Sequence, residues 1–347
     1  MAVKLSDFDF DIPERLIAQH PVPERERSRL MVVWRGERRR EHRSFHELPE
    51  ILTAEHFLVM NNSRVFPARL RARRPGRKET IEVLLIREVE EGQWLTLVKP
   101  ARKASVGQDL EIEELMATVR SVSNQGLRVL AFEGSPDVVR VAERIGEVPL
   151  PPYIRRPDRS LRTEDLLRYQ TVYAKRTGSI AAPTAGLHFT GRLLERLDAR
   201  GVARCEILLH VGYGTFQPVR AAEIGEHRML PEYFEVSQES ANRIRALKAS
   251  GRRLIAVGTT TTRVLEYLAR SGSLPAGGAS GMCDLFIYPG FRFRILDGLL
   301  TNFHLPRSTP FLLACAFAGR DLMLGSYREA RDRGYRFYSY GDAMLIV

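Results

Sequence analysis

FPARLRAR, residues 66–73, is the stretch whose reading decides the fold. Phe66, Ala68, Leu70 and Ala72 alternate with Arg69, Arg71 and Arg73, the period-two pattern of a strand with one apolar and one basic face. Further strand-like runs follow at Ile81 to Val89, Trp94 to Val98, Asp109 to Ile112, Ala117 to Val122 and Leu127 to Phe132, with polar and glycine-containing turns between them. Six strands in succession without a long helix imply a small antiparallel β-barrel. The grammar on either side is different. Upstream, Pro13 to Gln19 reads as a short helix, Leu30 to Trp34 as a strand, Leu48 to Leu52 as a helix and Phe57 to Met60 as a strand. EVPLPPYIRRP, residues 147–157, is a proline-stiffened connector that marks the return from the barrel.

Beyond Gly178 the helix–strand alternation resumes. Cys205 to Val211 reads as a buried strand, Ala241 to Leu247 as helix ending at Gly251, Leu254 to Val257 as strand and Arg263 to Leu268 as helix. Leu285 to Tyr288 reads as a strand, and Pro310 to Phe317 as a buried helix with proline in its first turn. The expected fold is α/β: an α/β/α sandwich built from residues 1–63 and 150–347, with an antiparallel β-barrel of residues 64–149 inserted in it.

A chain of 347 residues is longer than one hydrophobic core usually organises, in keeping with two domains. With 44% hydrophobic and 27% charged residues, it is expected to be folded throughout. A net charge of +11 favours a polyanionic partner, with nucleic acid foremost. Arg69, Arg71, Arg73, Arg74, Arg77 and Lys78 would supply a basic barrel surface. RGERRREHRS, residues 35–44, reads as a basic loop that either touches phosphates or is a solvated hairpin tip. The chain contains no apolar run of membrane-spanning length and no signal-peptide core at its start, so a cytoplasmic protein with no membrane contact is expected. Cys205, Cys283 and Cys315 lie far apart in apolar surroundings and are expected to be free thiols. Nothing has the spacing of a metal site, and no metal is expected.

The chemistry falls on loops that join strands to helices, where α/β sheets bind ligands. In GSIAAPTAGLHFT, residues 178–190, Thr190 is a helix N-cap, Leu193, Leu194 and Leu197 form the apolar face of that helix, and Gly201 follows its end. His188 therefore stands just before a helix N-terminus, which would lower its pKa and favour the neutral imidazole. LHVGYGTFQPV, residues 209–219, offers His210, Gly212, Gly214 and Thr215, but Gln217 and Pro218 break any dinucleotide fingerprint. AVGTTTTRV, residues 256–264, sets Gly258 and a row of threonines between strand and helix, with backbone N–H groups and hydroxyls for a ribose or a carboxylate. LLTNFHLPRST, residues 299–309, places Asn302 and His304 just ahead of another helix. Each histidine read alone is equally compatible with a buried hydrogen-bonding role.

With PTAGLHFT, LHVGYGTF, VGTTTTR, TNFHLPRST and RFYSYGDAMLI in this order, the chain resembles the S-adenosylmethionine:tRNA ribosyltransferase-isomerases of queuosine biosynthesis. LSDFDFDIPERLIAQHP, FLVMNNSRVFPARL, RIGEVPLPPYI and RYQTVYA extend the resemblance over nearly the whole chain. It departs from the family at RRPGRKETIE, where a glycine-rich turn is common, and at HRMLPEYFEV, where a His-Ser pair commonly follows the methionine. The resemblance implies an α/β sandwich with an inserted β-barrel. It further implies transfer and isomerisation of the ribosyl part of S-adenosylmethionine onto the aminomethyl group of a 7-deazaguanine (preQ1) at the tRNA wobble position, giving epoxyqueuosine, adenine and methionine. S-adenosylmethionine is then a substrate, no true cofactor is involved, and a monomer is expected. Within that reaction His188 and His210 are the first candidates for general base or acid, with Asn302 and His304 orienting or protonating the leaving adenine. Thr184, Gly186, Gly212, Gly214, Thr215, Gly258, Thr259 and Thr260 are candidate contacts to S-adenosylmethionine. The six basic barrel residues are candidates for tRNA phosphates. Two rival readings are a tRNA methyltransferase using the same donor, and a non-catalytic RNA-binding protein.

Overall fold

The computed structural model describes residues 4–156, 161–212, 214, 219, 223–272 and 274–347. Its larger sheet has nine strands among the described residues. Ala203–Leu209, His56–Asn61, Arg253–Val257 and Gly298–Asn302 lie side by side and parallel, so their carboxyl ends share one edge of the molecule. Glu232–Val236 and Ala279–Cys283 extend the sheet antiparallel beyond Ala203–Leu209. On the other side come Ala343–Ile346, Arg29–Trp34 and Arg39–Ser44. Every residue of His56–Asn61 is buried, because alternate side chains enter different cores. Phe57 and Val59 pack with the helices Thr259–Leu268, Thr309–Ala318 and Arg320–Asp332. Leu58 and Met60 pack with Leu193, Leu194 and Leu197 of Gly191–Ala199. The sheet is thus covered on both faces, as a largely parallel sheet requires.

The local chemistry explains most boundaries. Thr190 caps Gly191–Ala199 by accepting from the Leu193 N–H at 3.0 Å, and Gly201 takes φ +76° just past the helix end. Thr259–Leu268 begins one turn earlier than expected. The Thr261 and Thr262 hydroxyls bond back to the Val257 and Gly258 carbonyls at 2.8 and 3.2 Å, which accommodates a β-branched run inside a helix.

The six strands read from FPARLRAR onward form one six-stranded sheet, running in space Arg69–Ala72, Ile81–Glu90, Gln93–Lys99, Arg128–Phe132, Leu115–Val122 and Asp109–Ile112. Reciprocal backbone hydrogen bonds of Arg73 with Glu111, at 2.9 and 2.8 Å, join its first and last strands and close it as a barrel. Val138 and Ala142 of the helix Val138–Ile145, which the sequence reading did not mark, enter the barrel core. The expected basic face is turned outward but largely neutralised. Arg69, Arg71, Arg73 and Arg74 pair with Glu82, Glu147, Glu111 and Glu79. Arg77 and Lys78 are exposed, and neither makes a direct salt bridge among the described residues, although Arg77 is near enough to Glu79 to help lower its pKa.

Three expectations are corrected. Pro13 to Gln19 holds only a 3-10 turn, Glu14–Leu16, because Leu16 and Ala18 are drawn into backbone hydrogen bonds with Phe337. RGERRREHRS is a hairpin tip only at residues 35–38; the rest, Arg39–Ser44, is an edge strand paired with Arg29–Trp34, and Arg39, Arg40 and Arg43 are engaged by Glu37, Glu41, Glu47 and Glu329. Leu285 to Tyr288 belongs to no ladder. The Leu285 carbonyl accepts from Arg263 Nε at 2.8 Å and the Cys283 carbonyl from Arg263 Nη2 at 3.2 Å. The three cysteines are buried free thiols, and burial pushes the Cys205 thiol up to about 11.

Arg263 is buried, and its guanidinium also pairs with buried Glu232, whose Oε1 accepts from the Gly212 N–H at 2.8 Å. One ion pair therefore ties an antiparallel strand beside the parallel core to a helix under the parallel edge. We expect Arg263→Met to lower stability by about 3–5 kcal/mol, measured by chemical denaturation, because removing one partner breaks a buried ion pair. A loss below about 1 kcal/mol would show that the pair does not hold this edge.

Candidate functional site

Where parallel strands end together, their following loops wall a crevice. Here that edge carries a cavity open to solvent, whose empty space with the adjoining solvent amounts to about 700 Å³. Asn61 ends the pairing of its strand with Ala203–Leu209: its Nδ2 donates to the Leu209 carbonyl at 2.9 Å, and its Oδ1 accepts from Leu209 and Ser63 N–H groups. The Val211 N–H then donates to Ser179 Oγ, and the Val211 carbonyl accepts from Ile180 and Ala181, bringing Ala181 to Ala185 to the cavity. Gly258 donates to the Leu300 carbonyl at 2.8 Å and turns with φ +95°, so Thr259–Leu268 starts at the wall. Asn302 and His304 follow from the end of the neighbouring strand.

Six expected residues therefore meet on one wall: Thr184, Gly258, Thr259, Thr260, Asn302 and His304. Others do not. Gly186 lies against Tyr173 and Thr171, where any Cβ would collide with the Tyr173 hydroxyl, and it does not line the cavity. Gly212 gives its N–H to Glu232, and Gly214 packs near Leu230; neither lines the cavity. Thr215 lies outside the described residues. Tyr153, Tyr338, Ser339 and Ser308 line the cavity and were not singled out, although the stretches holding them carried the resemblance. The Tyr153 and Tyr338 rings are 4.7 Å apart, and the Tyr153 hydroxyl is 2.7 Å from Ser339 Oγ. Burial pushes the Tyr153 hydroxyl up to about 12, so it stays protonated. Tyr338 adopts φ +73°, a conformation that costs a non-glycine residue about 1 kcal/mol or more. It is held because Asp342 accepts from the Arg29 and Arg336 N–H groups and the Tyr338 N–H donates to Phe303.

The three histidines part company. His188, 4% exposed, is not on the cavity wall. Its Nδ1 is 2.7 Å from Ser28 Oγ, its Nε2 is 3.2 Å from Asn302 Nδ2, and its ring stacks on Phe45. Its pKa is depressed to about 3, by burial first and by Arg25 and Arg336 after it, rather than by the helix N-terminus expected from sequence. His210 also lies off the wall, stacked on Tyr233 and pressed against Gly178; burial and then Arg176 lower its pKa. His304 is on the wall. Its Nε2 is 2.7 Å from the Thr301 hydroxyl, its backbone N–H donates to the Tyr327 hydroxyl at 3.0 Å, and burial lowers its pKa to about 3. Among the described residues, no carboxylate lines the cavity and His304 is its one imidazole. No cluster of three or more His, Cys, Asp or Glu suited to a metal is found among them, and no helix is long and apolar enough to cross a membrane.

Comparison with known proteins agrees with this architecture. The profile of the family described as "Queuosine biosynthesis protein" matches residues 5–346. The S-adenosylmethionine:tRNA ribosyltransferase-isomerase of Desulfitobacterium hafniense is 49% identical over 350 residues, which cover 99% of this chain and 100% of the relative. The protein of the same name from Symbiobacterium thermophilum is 48% identical over 348 residues, with the same coverage. The crystal structure of the S-adenosylmethionine tRNA ribosyltransferase of Thermotoga maritima superposes with a TM-score of 0.57 at 40% identity, covering 98% of this chain and 100% of that one. A profile match along almost all of its length and relatives near half identity place this chain in the queuosine biosynthesis protein family.

Proposed function

We propose that this chain transfers the ribosyl group of S-adenosylmethionine to the aminomethyl group of a 7-deazaguanine at the tRNA wobble position, isomerising it to the epoxycyclopentane of epoxyqueuosine and releasing adenine and methionine. One observation carries the reading. The cavity at the parallel edge joins a helix N-terminus with Gly258, Thr259 and Thr260 to Asn302 and His304, under two aromatic rings. The N-terminal N–H groups of Thr259–Leu268 suit the carboxylate of the methionyl part, and the mostly apolar remainder suits a nucleoside shielded from water. Removing a proton from the ribose 5′-carbon beside the sulfonium, and supporting the departing adenine, both call for a group that exchanges protons or hydrogen bonds at neutral pH. Tyr153 is protonated there, so on the described wall this work falls to His304, with Asn302 beside it. S-adenosylmethionine is the substrate, and the reading includes no metal and no other cofactor. Action as a monomer in the cytoplasm belongs to the same reading.

The reaction is tested by incubating the enzyme with tRNA bearing the aminomethyl-deazaguanine and labelled S-adenosylmethionine. We expect free adenine, methionine and an epoxyqueuosine nucleoside by mass spectrometry. S-adenosylhomocysteine in place of adenine would replace this reading with methyl transfer, and neither product would leave RNA binding alone.

His304→Gln is expected to lower kcat about 10²- to 10⁴-fold, the usual worth of a positioned proton-transfer group, with donor binding by calorimetry largely retained. The sign of its pKa shift adds a second readout. An imidazole whose pKa has fallen to about 3 is neutral across pH 5–8, so any limb of the kcat/KM profile in that range arises elsewhere and persists in the variant. Near-normal turnover, or a limb near pH 6.5 that vanishes in His304→Gln, would contradict this.

For tRNA, we propose that Arg77 and Lys78 lead the phosphate contacts of the barrel, because Arg69, Arg71, Arg73 and Arg74 must first give up carboxylates. Replacing Arg77 and Lys78 by Gln should reduce the slope of log affinity against log salt by roughly 1 to 2. An unchanged slope would remove this turn from the tRNA surface.

A further inference from the structure

Ser28, His188 and Asn302 form a buried chain whose hydrogen bonds have one self-consistent direction. The Tyr338 carbonyl lies 3.3 Å from Asn302 Nδ2 and can only accept, so that face of the Asn302 side chain must be its NH₂ group. Flipping the amide would set two oxygens against each other. The second hydrogen of the same NH₂ points to His188 Nε2, at 3.2 Å, so that nitrogen carries a lone pair and the proton sits on Nδ1. His188 Nδ1–H then donates to Ser28 Oγ, and the Ser28 hydroxyl donates onward to the Arg25 carbonyl at 3.2 Å. Arg25 is itself anchored by donating to the carbonyls of Gln170 and Leu187 at 2.8 and 3.1 Å. Every member is committed except one atom. Asn302, 2% exposed, lines the cavity, and its Oδ1 is buried with no hydrogen-bond partner among the described residues.

A buried carbonyl oxygen without a partner is costly and calls for an ordered water, an ion or a ligand; of the ten such side-chain atoms among the described residues, Asn302 Oδ1 alone belongs to a residue lining the cavity, where a ligand can complete it. We infer that His188 is a positioning residue which, by fixing the Asn302 amide, presents Asn302 Oδ1 to the cavity as the acceptor for an N–H or O–H donor of the bound ribosyl donor. This rests on the reading of the cavity as the site for S-adenosylmethionine, whose exocyclic adenine amine and ribose hydroxyls are the donors available. His188 takes no proton in this account. Its lone pair is directed at Asn302 rather than at the cavity, and the ring stacks on Phe45. Without His188 the amide loses the partner that, with Tyr338, selects its orientation, and the acceptor is no longer held in place.

Glutamine separates the two roles available to His188, because Gln Oε1 can accept from Asn302 Nδ2 where Nε2 did but cannot act as a base. Steady-state kinetics of His188→Gln, His188→Ala, Ser28→Ala, Asn302→Ala and His188→Ala/Asn302→Ala, each checked by thermal melting, should give a distinct pattern. His188→Ala should lower kcat/KM for S-adenosylmethionine by about tenfold, the worth of one well-placed hydrogen bond, and His188→Gln should stay within about threefold of the parent. The pH profile should keep its shape in both variants. The double variant should be no worse than Asn302→Ala, since residues acting through one contact are not additive. Should His188→Ala fail to fold, His188→Gln decides together with Ser28→Ala, whose smaller loss should disappear when Asn302 is also alanine. A glutamine variant as impaired as alanine, or additive losses, overturns the inference. To keep this distinct from the reading of the cavity, binding of S-adenosylmethionine to the unaltered enzyme is measured by calorimetry. Absence of binding there refutes the cavity assignment, whereas intact binding with an impaired glutamine variant refutes the role of His188 alone.

Discussion

The last rung of the parallel ladder, the Gly258 N–H donating to the Leu300 carbonyl at 2.8 Å, sets where the chain can leave the sheet, and the site depends on it. At φ +95° Gly258 turns the chain so that a helix begins at the cavity wall; no atom crowds its α-carbon, so glycine is needed there for the torsion rather than for space. The neighbouring strand ends in register with it and delivers Asn302 and His304 to the same wall. Parallel pairing thus converts four separate stretches of sequence into one edge, and that edge concentrates backbone N–H groups, hydroxyls and an imidazole in an otherwise apolar cavity.

Around this edge the apolar cores supply bulk stabilisation, while buried polar groups fix which loop goes where. Asn61 ends one strand pair, Asp342 pins the turn that carries Tyr338, and Arg263 with Glu232 fastens the edge strands to a cavity helix. Gln170 acts almost as an extra strand residue, its amide exchanging hydrogen bonds with both backbone groups of Val65 at 3.1 and 3.0 Å. Such groups are tolerated in the interior because they are satisfied, and each is satisfied in only one arrangement. Ten buried side-chain atoms among the described residues lack a hydrogen-bond partner, and of these only Asn302 Oδ1 belongs to a residue that lines the cavity.

What was legible in the sequence follows from what is local. Period-two alternation from Phe66 onward marked all six barrel strands, and the Thr190 cap and Gly201 stop bounded their helix closely. Relations between distant segments were not legible. Arg40, Arg69, Arg71 and Arg73 read as free charge because their carboxylate partners come from other segments, whereas Arg39 and Arg43 pair with Glu37, Glu41 and Glu47 close by, which the strand conformation brings within reach. Leu285 to Tyr288 has strand composition, yet two carbonyls around it are taken by Arg263 from a different element. Among the histidines, sequence marked loops near strand ends but not which way each ring faces. His304 faces the cavity, His188 supports it from behind, and His210 belongs to neither arrangement.

The central claim, that the cavity at the parallel edge holds the ribosyl donor, is tested most directly by a crystal structure of the enzyme with an unreactive S-adenosylmethionine analogue bearing an amine in place of the sulfonium. The account predicts the analogue between the Thr259–Leu268 N-terminus and Asn302, with its carboxylate on the helix N–H groups and one of its N–H or O–H donors within hydrogen-bond distance of Asn302 Oδ1. Density for the analogue elsewhere on the protein, with Asn302 Oδ1 untouched, would contradict it.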